Sequence, residues 1–105
     1  MATFETLPSF ELDWRRLTPE QQASFREVVL EAFEPDLVVP DHLFRPSLRV
    51  REITGYPGVF EMRWGDHGWA TFSYGAEREH GQPHVIWREI GSLANSSRES
   101  AGGVL

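Results

Sequence analysis

The sequence predicts an α+β domain in which two N-terminal helices pack on one face of a small, mostly antiparallel sheet. The first third of the chain places apolar residues at helical spacing, whereas from position 48 onward apolar and polar residues alternate with the period of a strand. The chain has 105 residues, 40% of them hydrophobic, which is enough for one modest core. We therefore expect a single domain over residues 1–91.

The N-terminal segment is predicted to form a short strand and then a helix. The strand covers residues 3–7, and the helix begins near Pro8, a residue that suits the first helical turn. Phe10, Trp14 and Leu17 then recur at intervals of four and three. This spacing places their side chains on one helical face, which would pack on the sheet.

The second helix has the strongest local signal in the chain. Thr18 is predicted as the N-cap, Pro19 as the first helical residue and Gln21 as the partner in a capping box. An apolar stripe follows on one face of the helix, consisting of Phe25, Val28, Val29, Ala32 and Phe33. Because proline disfavours a helical residue before it, Pro35 is predicted to end the helix and to open a proline-containing loop.

Four segments in the second half read as strands, namely "LRVREI", "VFEMRW", "WATFSY" and "HVIWREI". In the first, Leu48 and Val50 alternate with Arg49 and Arg51, so both arginines are predicted to point to the same side. "YPG" and "GDHG" supply the turns of a meander. The last strand is almost continuously apolar, as is typical of a strand with two neighbours.

Composition excludes several classes of protein. The chain has no cysteine, so neither a disulfide framework nor a thiolate site is expected. It has no apolar run long enough for a membrane span and no signal peptide, which favours a cytoplasmic protein. Residues 92–105 are rich in glycine, serine and alanine, and we expect them to form a disordered tail.

The basic residues form a local cluster on an acidic background. The net charge is −6, and all ten basic residues are arginine. Arg49, Arg51 and Arg63 are predicted to project from the sheet face that the helices leave uncovered, where guanidinium groups could bind a phosphate. The alternative is a set of ordinary surface ion pairs, which stabilise a fold little. The glutamates available for such pairs are Glu52, Glu61 and Glu89.

Common catalytic and metal-binding motifs are not apparent in the sequence. His80 and His84 stand close together in "HGQPH", but Gly81 and Pro83 exclude the helix that would bring the two rings to one face. We therefore expect no metal site and no cofactor. His84 could act as a general base, although a polar loop would explain it equally well.

Several motifs in combination resemble the RelE/ParE superfamily of bacterial toxins, particularly its RelE-like branch. A capped "LTPEQ" helix precedes "FRPSLRVREITGYPGVFEMRW", then "WATFSYG" and "PHVIWREIG". The resemblance covers roughly residues 8–91. It implies two helices packed on a small, mostly antiparallel sheet, in agreement with the fold predicted from the residues.

The resemblance also implies a function. Such proteins are toxins that an antitoxin, usually encoded by an adjacent gene, binds and silences. Many RelE-like members enter the ribosome and cut mRNA without a metal, using the 2′-hydroxyl of the RNA. By position, Arg49, Arg51 and Arg63 match the family's catalytic cations. The positions expected to bind RNA are Arg45, Trp69, Arg88 and His84.

Two other functions fit the sequence. A protein of the same fold could act without catalysis, either as a ParE-like inhibitor of DNA gyrase or as a degenerate toxin that only binds its antitoxin. The chain could also be an unrelated α+β binding module. RelE-like members commonly carry a catalytic His, Arg or Tyr after the last strand, whereas this chain has only Arg98 there. That departure favours the non-catalytic alternative.

Overall fold

A computed structural model describes residues 2–39 and 43–92 of the chain. One five-stranded sheet has the strand order β1-β5-β4-β3-β2, with β1 parallel to β5 and every other neighbouring pair antiparallel. The strands are β1 (Thr3–Thr6), β2 (Arg51–Glu52), β3 (Val59–Trp64), β4 (Gly68–Gly75) and β5 (His84–Ser92). The helices are α1 (Pro8–Arg15), α2 (Pro19–Val28) and α3 (Glu34–Leu37). The predicted α+β fold class is confirmed.

The capping box predicted for α2 is present. The Thr18 hydroxyl accepts a hydrogen bond from the Gln21 backbone at 3.1 Å, and the Gln21 side chain accepts one from the Thr18 backbone at 2.9 Å. Two backbone amides that have no partner within the helix are therefore satisfied, and Pro19 has no amide hydrogen that would require one. This local chemistry fixes where the helix starts.

The prediction that Pro35 ends this helix is wrong. After α2 the chain continues through one π-helical turn (Val29–Phe33) directly into α3, which contains Pro35 and ends at Leu37. In that turn the amide of Glu34 donates to the carbonyl of Val29, five residues back. In a regular α-helix the ring of Pro35 would clash with the carbonyl four residues earlier, and the wider turn accommodates it.

Aromatic side chains from both layers form the core. Phe25 of α2 is 6% exposed, and its ring centroid lies 5.2 Å from that of Trp87 and 5.8 Å from that of Trp64. Phe33 and Phe72 are fully buried, with ring centroids 5.1 Å apart. Val29 and Ala32, which the apolar stripe predicted to be buried, are only half-buried at the edge of this core.

The strand predicted from "LRVREI" is largely wrong. Pro46–Leu48 forms a 3-10 turn, Arg49 has the left-handed φ of 49°, and β2 contains only Arg51 and Glu52. Pro46 has the fixed φ that suits the start of such a turn. The alternation of Leu48 to Arg51 therefore does not arise from a strand, and it does not place Arg49 beside Arg51 on the sheet.

The two meander turns form as predicted. The Val59 amide donates to the Tyr56 carbonyl at 3.1 Å across "YPG", and Gly58 has the positive φ of 81° that this turn needs. The second turn, "GDHG", joins β3 directly to β4, so that Trp64 is the register partner of Gly68. The first turn lies between β2 and β3 and the second between β3 and β4, so each helps to set the register of one strand pair.

Strand β5 has a neighbouring strand on each side over its first four residues. It pairs with β4 throughout and with β1 over His84 to Trp87. Beyond that point α1 covers its edge, because Ser9 donates to the Arg88 carbonyl at 2.7 Å. The strand includes Ser92, the first residue of the predicted tail, and residues 93–105 lie outside the described residues.

Candidate functional site

Alternation along the central strands defines the open face, the sheet surface opposite the helices. The side chains in the middle of this face include those of Val59, Glu61, Arg63, Trp69, Thr71, Ser73, Ile86 and Glu89. The register aligns four residues in one row across the sheet, which are Arg51, Glu61, Thr71 and Glu89. Because neighbouring strands lie about 4.8 Å apart, the two carboxylates of this row belong to backbones about 10 Å apart.

Arg51 and Arg63 converge on one carboxylate. Each guanidinium places an Nη2 atom 3.5 Å from Oε1 of Glu61. The side chain of Glu61 is 17% exposed, whereas those of Arg51 and Arg63 are 71% and 37% exposed. The structure thus brings together two of the three predicted cations, around an anionic group that the sequence identified only as a surface partner.

The third predicted cation lies elsewhere. Arg49 sits before β2, in the left-handed conformation, and its side chain is exposed. The acidic neighbour Glu52 is also engaged away from the cluster, because its carboxylate accepts the backbone amide of Gly58 at 2.8 Å. The pair on the open face is therefore Arg51 and Arg63, and a role for Arg49 stays a prediction.

Arg45 is held in a tight ion pair. Its Nε and Nη2 atoms donate to the two carboxylate oxygens of Asp36 at 2.8 and 2.9 Å, and its backbone amide donates to the same group at 2.8 Å. The hydrogen bonds from Arg45 lower the pKa of the Asp36 carboxyl below its ordinary value. These contacts tie the segment after α3 to that helix, which gives Arg45 a structural role.

A β-bulge brings Arg88 to the open face. Thr71 pairs with Glu89 and Phe72 with Trp87, so that Arg88 is the extra residue of β5. A regular strand would point Arg88 and Glu89 to opposite sides, but both line one cleft. Arg88 places Nη1 3.4 Å from the Ser73 hydroxyl.

This cleft, which we call the β5 cleft, has a volume of about 420 Å³. Apolar and polar groups line it, contributed by Leu7, Ser9, Ile53, Tyr56, Val59, Thr71, Arg88 and Glu89. Thr71 is 5% exposed, and its Oγ1 is the buried side-chain polar atom that lacks a hydrogen-bond partner among the described residues. A buried hydroxyl without a partner is unfavourable, so the cleft offers an unsatisfied polar group to a ligand.

Trp69 lies on the open face, as predicted. It is the register partner of Arg63 on one side and of Gly91 on the other. A Cβ atom at position 91 would lie only 2.7 Å from the Trp69 ring. Because Gly91 has no side chain, the indole can lie flat across β5. The ring is half-buried and adjoins the arginine pair, where it can stack a base.

His84 lies at the far end of the open face, five residues before Glu89. Since a strand rises about 3.3 Å per residue, the two positions are about 16 Å apart. The ring is 4% exposed, with Nδ1 2.7 Å from the Thr3 hydroxyl and Nε2 2.6 Å from a Glu5 oxygen. The hydrogen bond from His84, with the charge of Arg78, lowers the pKa of the Glu5 carboxyl. This cluster joins β1 to β5 and stands apart from the arginine pair.

Sequence reasoning missed Glu61, Thr71 and Glu89 as site residues. The available signal was the "GDHG" turn, since counting outward from it pairs Glu61 with Thr71. The bulge that aligns Glu89 with Thr71 has no comparable signal in the sequence.

In the described parts of the chain, no three His, Asp or Glu side chains are grouped closely enough to hold a metal ion. None of the described helices is long and apolar enough to span a membrane.

The architecture described above is that of an α+β domain with one open sheet face, and solved structures share it. A chain of the toxin–antitoxin complex RelBE2 from Mycobacterium tuberculosis aligns with a TM-score of 0.57 at 16% identity, covering 87% of this chain and 96% of that one. A chain of the DinJ–YafQ toxin–antitoxin complex from Escherichia coli aligns with a TM-score of 0.56 at 9% identity, covering 90% and 94%.

A third solved structure, the conserved hypothetical protein HP0894 from Helicobacter pylori, aligns with a TM-score of 0.54 at 12% identity, covering 90% of this chain and 97% of that one. No profile of a known protein family matches the sequence, and no curated protein matches it. At these identities the likeness establishes the fold. The chain has the RelE-like fold, as the sequence resemblance implied.

Proposed function

We propose that this chain is the toxin of a toxin–antitoxin pair and that it cuts mRNA on the ribosome in the cytoplasm. The shared fold supports the first part, because two of the similar solved structures are toxin–antitoxin complexes. The observation that carries the second part is the convergence of Arg51 and Arg63 on Glu61 across the open face. The two guanidinium groups can stabilise a charged phosphorane, and the carboxylate between them can accept a proton.

The proposed reaction uses the RNA's own 2′-hydroxyl. The Glu61 carboxylate takes the hydroxyl proton while the 2′-oxygen forms a bond to the adjacent phosphorus. The bond from phosphorus to the 5′-oxygen breaks, and that oxygen takes a proton from water. The products are a 2′,3′-cyclic phosphate and a 5′-hydroxyl. Arg51 and Arg63 stabilise the negative charge that develops on the phosphate oxygens, and the reaction consumes no cofactor.

The charge of the chain disfavours tight binding of free RNA. Proteins that bind free RNA tightly do so by neutralising many phosphates with basic side chains. This chain has a net charge of −6, and Glu61 already offsets part of the charge of the arginine pair. A ribosome that presents the mRNA strand would supply the binding energy that the chain lacks.

An apolar groove beside the sheet fits the antitoxin. It has a volume of about 580 Å³, and its apolar lining consists of Leu43, Phe44, Val50, Phe60 and Tyr74. Leu43 is 73% exposed and Tyr74 is 41% exposed, so both side chains present apolar surface to solvent at the groove. An antitoxin segment with matching apolar residues would cover them.

Expression of the chain alone is expected to arrest growth, and co-expression of the protein encoded by the adjacent gene should restore it. The physical reason is that the antitoxin occupies the groove and keeps the open face from the ribosome. The measurement is growth after induction, with size-exclusion chromatography of the co-expressed pair. A chain that is harmless alone and forms no complex with the adjacent gene product would contradict the proposal.

A further inference from the structure

The β5 cleft is distinct from the arginine pair in shape and chemistry. The arginine pair lies on an open surface, whereas the cleft is a cavity of about 420 Å³, within the range of small-molecule sites. Ile53, Val59 and Leu7 give it apolar walls, and Arg88 and Glu89 contribute one charge of each sign. Apolar walls with both a donor and an acceptor suit a flat ring with polar edges.

We propose that the β5 cleft binds one base of the RNA and that this base is guanine. The inference rests on the proposed function, since it names the RNA feature that the same open face would select. Tyr56, which is 65% exposed, stands at the wall of the cleft, where its ring can stack a base. Single-stranded RNA is recognised in this way, by stacking and by hydrogen bonds to the edges of the base.

The carboxylate of Glu89 selects among the four bases. An ionised carboxylate only accepts hydrogen bonds, and its two oxygens favour two adjacent N–H donors. Guanine presents such a pair at N1 and N2, whereas each of the other bases places an acceptor beside its donor. An acceptor that faces a carboxylate oxygen repels it. Each of the other bases would therefore make one hydrogen bond to Glu89 instead of two, and would place an acceptor against the second oxygen.

The remaining polar groups of the cleft complement guanine. Arg88 is a donor, as the O6 acceptor of guanine requires, and the bulge places it on the same side as Glu89. The buried Thr71 hydroxyl, which has no partner among the described residues, would gain one from the base. Thr71 is also the register partner of Glu61, so the bound base belongs to a nucleotide next to the cleaved phosphate.

The test is titration of the isolated protein with GMP, AMP, CMP and UMP, followed by chemical shifts of backbone amides. GMP is expected to bind at least about 10-fold tighter than the other three, the discrimination typical of one bidentate pair. The shifts should centre on Thr71, Arg88 and Glu89. Glu89→Gln should abolish the preference, because glutamine replaces one of the two acceptor oxygens by an NH₂ donor, which would face one of the two N–H donors of guanine.

The matched control is Glu27→Gln, which removes the same charge from the exposed face of α2 and should retain the preference for GMP. Equal affinities for the four nucleotides, no binding, or shifts confined to another surface would overturn the assignment. The titration involves no cleavage, so it separates the two proposals. A preference for GMP without cleavage on ribosomes refutes only the nuclease, and cleavage without the preference refutes only the guanine site.

Discussion

Replacement of Glu61 by glutamine is expected to slow cleavage of mRNA on ribosomes by about 10²–10⁴-fold, the usual contribution of a general base. The same change should strengthen RNA binding, because it removes the carboxylate that lies 3.5 Å from both Arg51 and Arg63. Opposite effects on catalysis and binding are diagnostic, since loss of folding would lower both. The measurements are single-turnover cleavage on programmed ribosomes and binding of a short single strand at several salt concentrations.

Binding of the Glu61→Gln variant should also depend more steeply on salt. Each additional phosphate neutralised on a single strand changes the slope of log affinity against log salt by about 0.7. Glu27→Gln is again the control, and it should match the wild type in both assays. If Glu61→Gln binds more tightly but cleaves at the wild-type rate, the carboxylate is a counterion and another group takes the proton.

Replacement of Phe25 by alanine is expected to lower the free energy of unfolding by about 3–5 kcal/mol. Phe25 is 6% exposed and contacts the rings of Phe10, Trp14, Trp64 and Trp87, with centroid distances of 5.2–6.0 Å. Since these rings belong to both layers of the fold, their large side chains cannot collapse into the cavity that the substitution leaves. Urea denaturation followed by tryptophan fluorescence measures the loss.

Leu30→Ala provides the matched comparison in the same helical segment. Leu30 is 66% exposed, so the free energy of unfolding should change by less than about 0.5 kcal/mol. An equal, small effect of the two substitutions would show that α2 does not pack on the sheet in the way described.

The start of α2 could be predicted because its determinants are local. Thr18, Pro19 and Gln21 satisfy or remove the free amides of the first turn through contacts within four residues. The continuation of the helix past Pro35 could not be predicted by the same reasoning. It depends on a π-helical turn, in which the widened hydrogen-bonding pattern accommodates the ring.

The candidate site was predictable only in part, for a related reason. Arg51 and Arg63 were correctly placed on one face because β2 and β3 pair across the "YPG" turn. Arg49 was misplaced because its alternation with Leu48 and Val50 mimics a strand, whereas Pro46 starts a 3-10 turn there. Glu89 was missed because its neighbours are set by a bulge between β4 and β5. Alternation within one segment does not reveal a change in register between two strands.

Primer extension on translating ribosomes tests the central claim most directly. Wild type should cut mRNA at defined sites only when ribosomes are present, and Arg51→Ala and Arg63→Ala should each cut about 10²–10³-fold more slowly. Arg16→Ala, which removes an exposed arginine at the end of α1, should cut like wild type. If wild type leaves the mRNA intact, or if all four proteins cut it equally well, Arg51 and Arg63 are surface ion pairs and the open face is not a nuclease site.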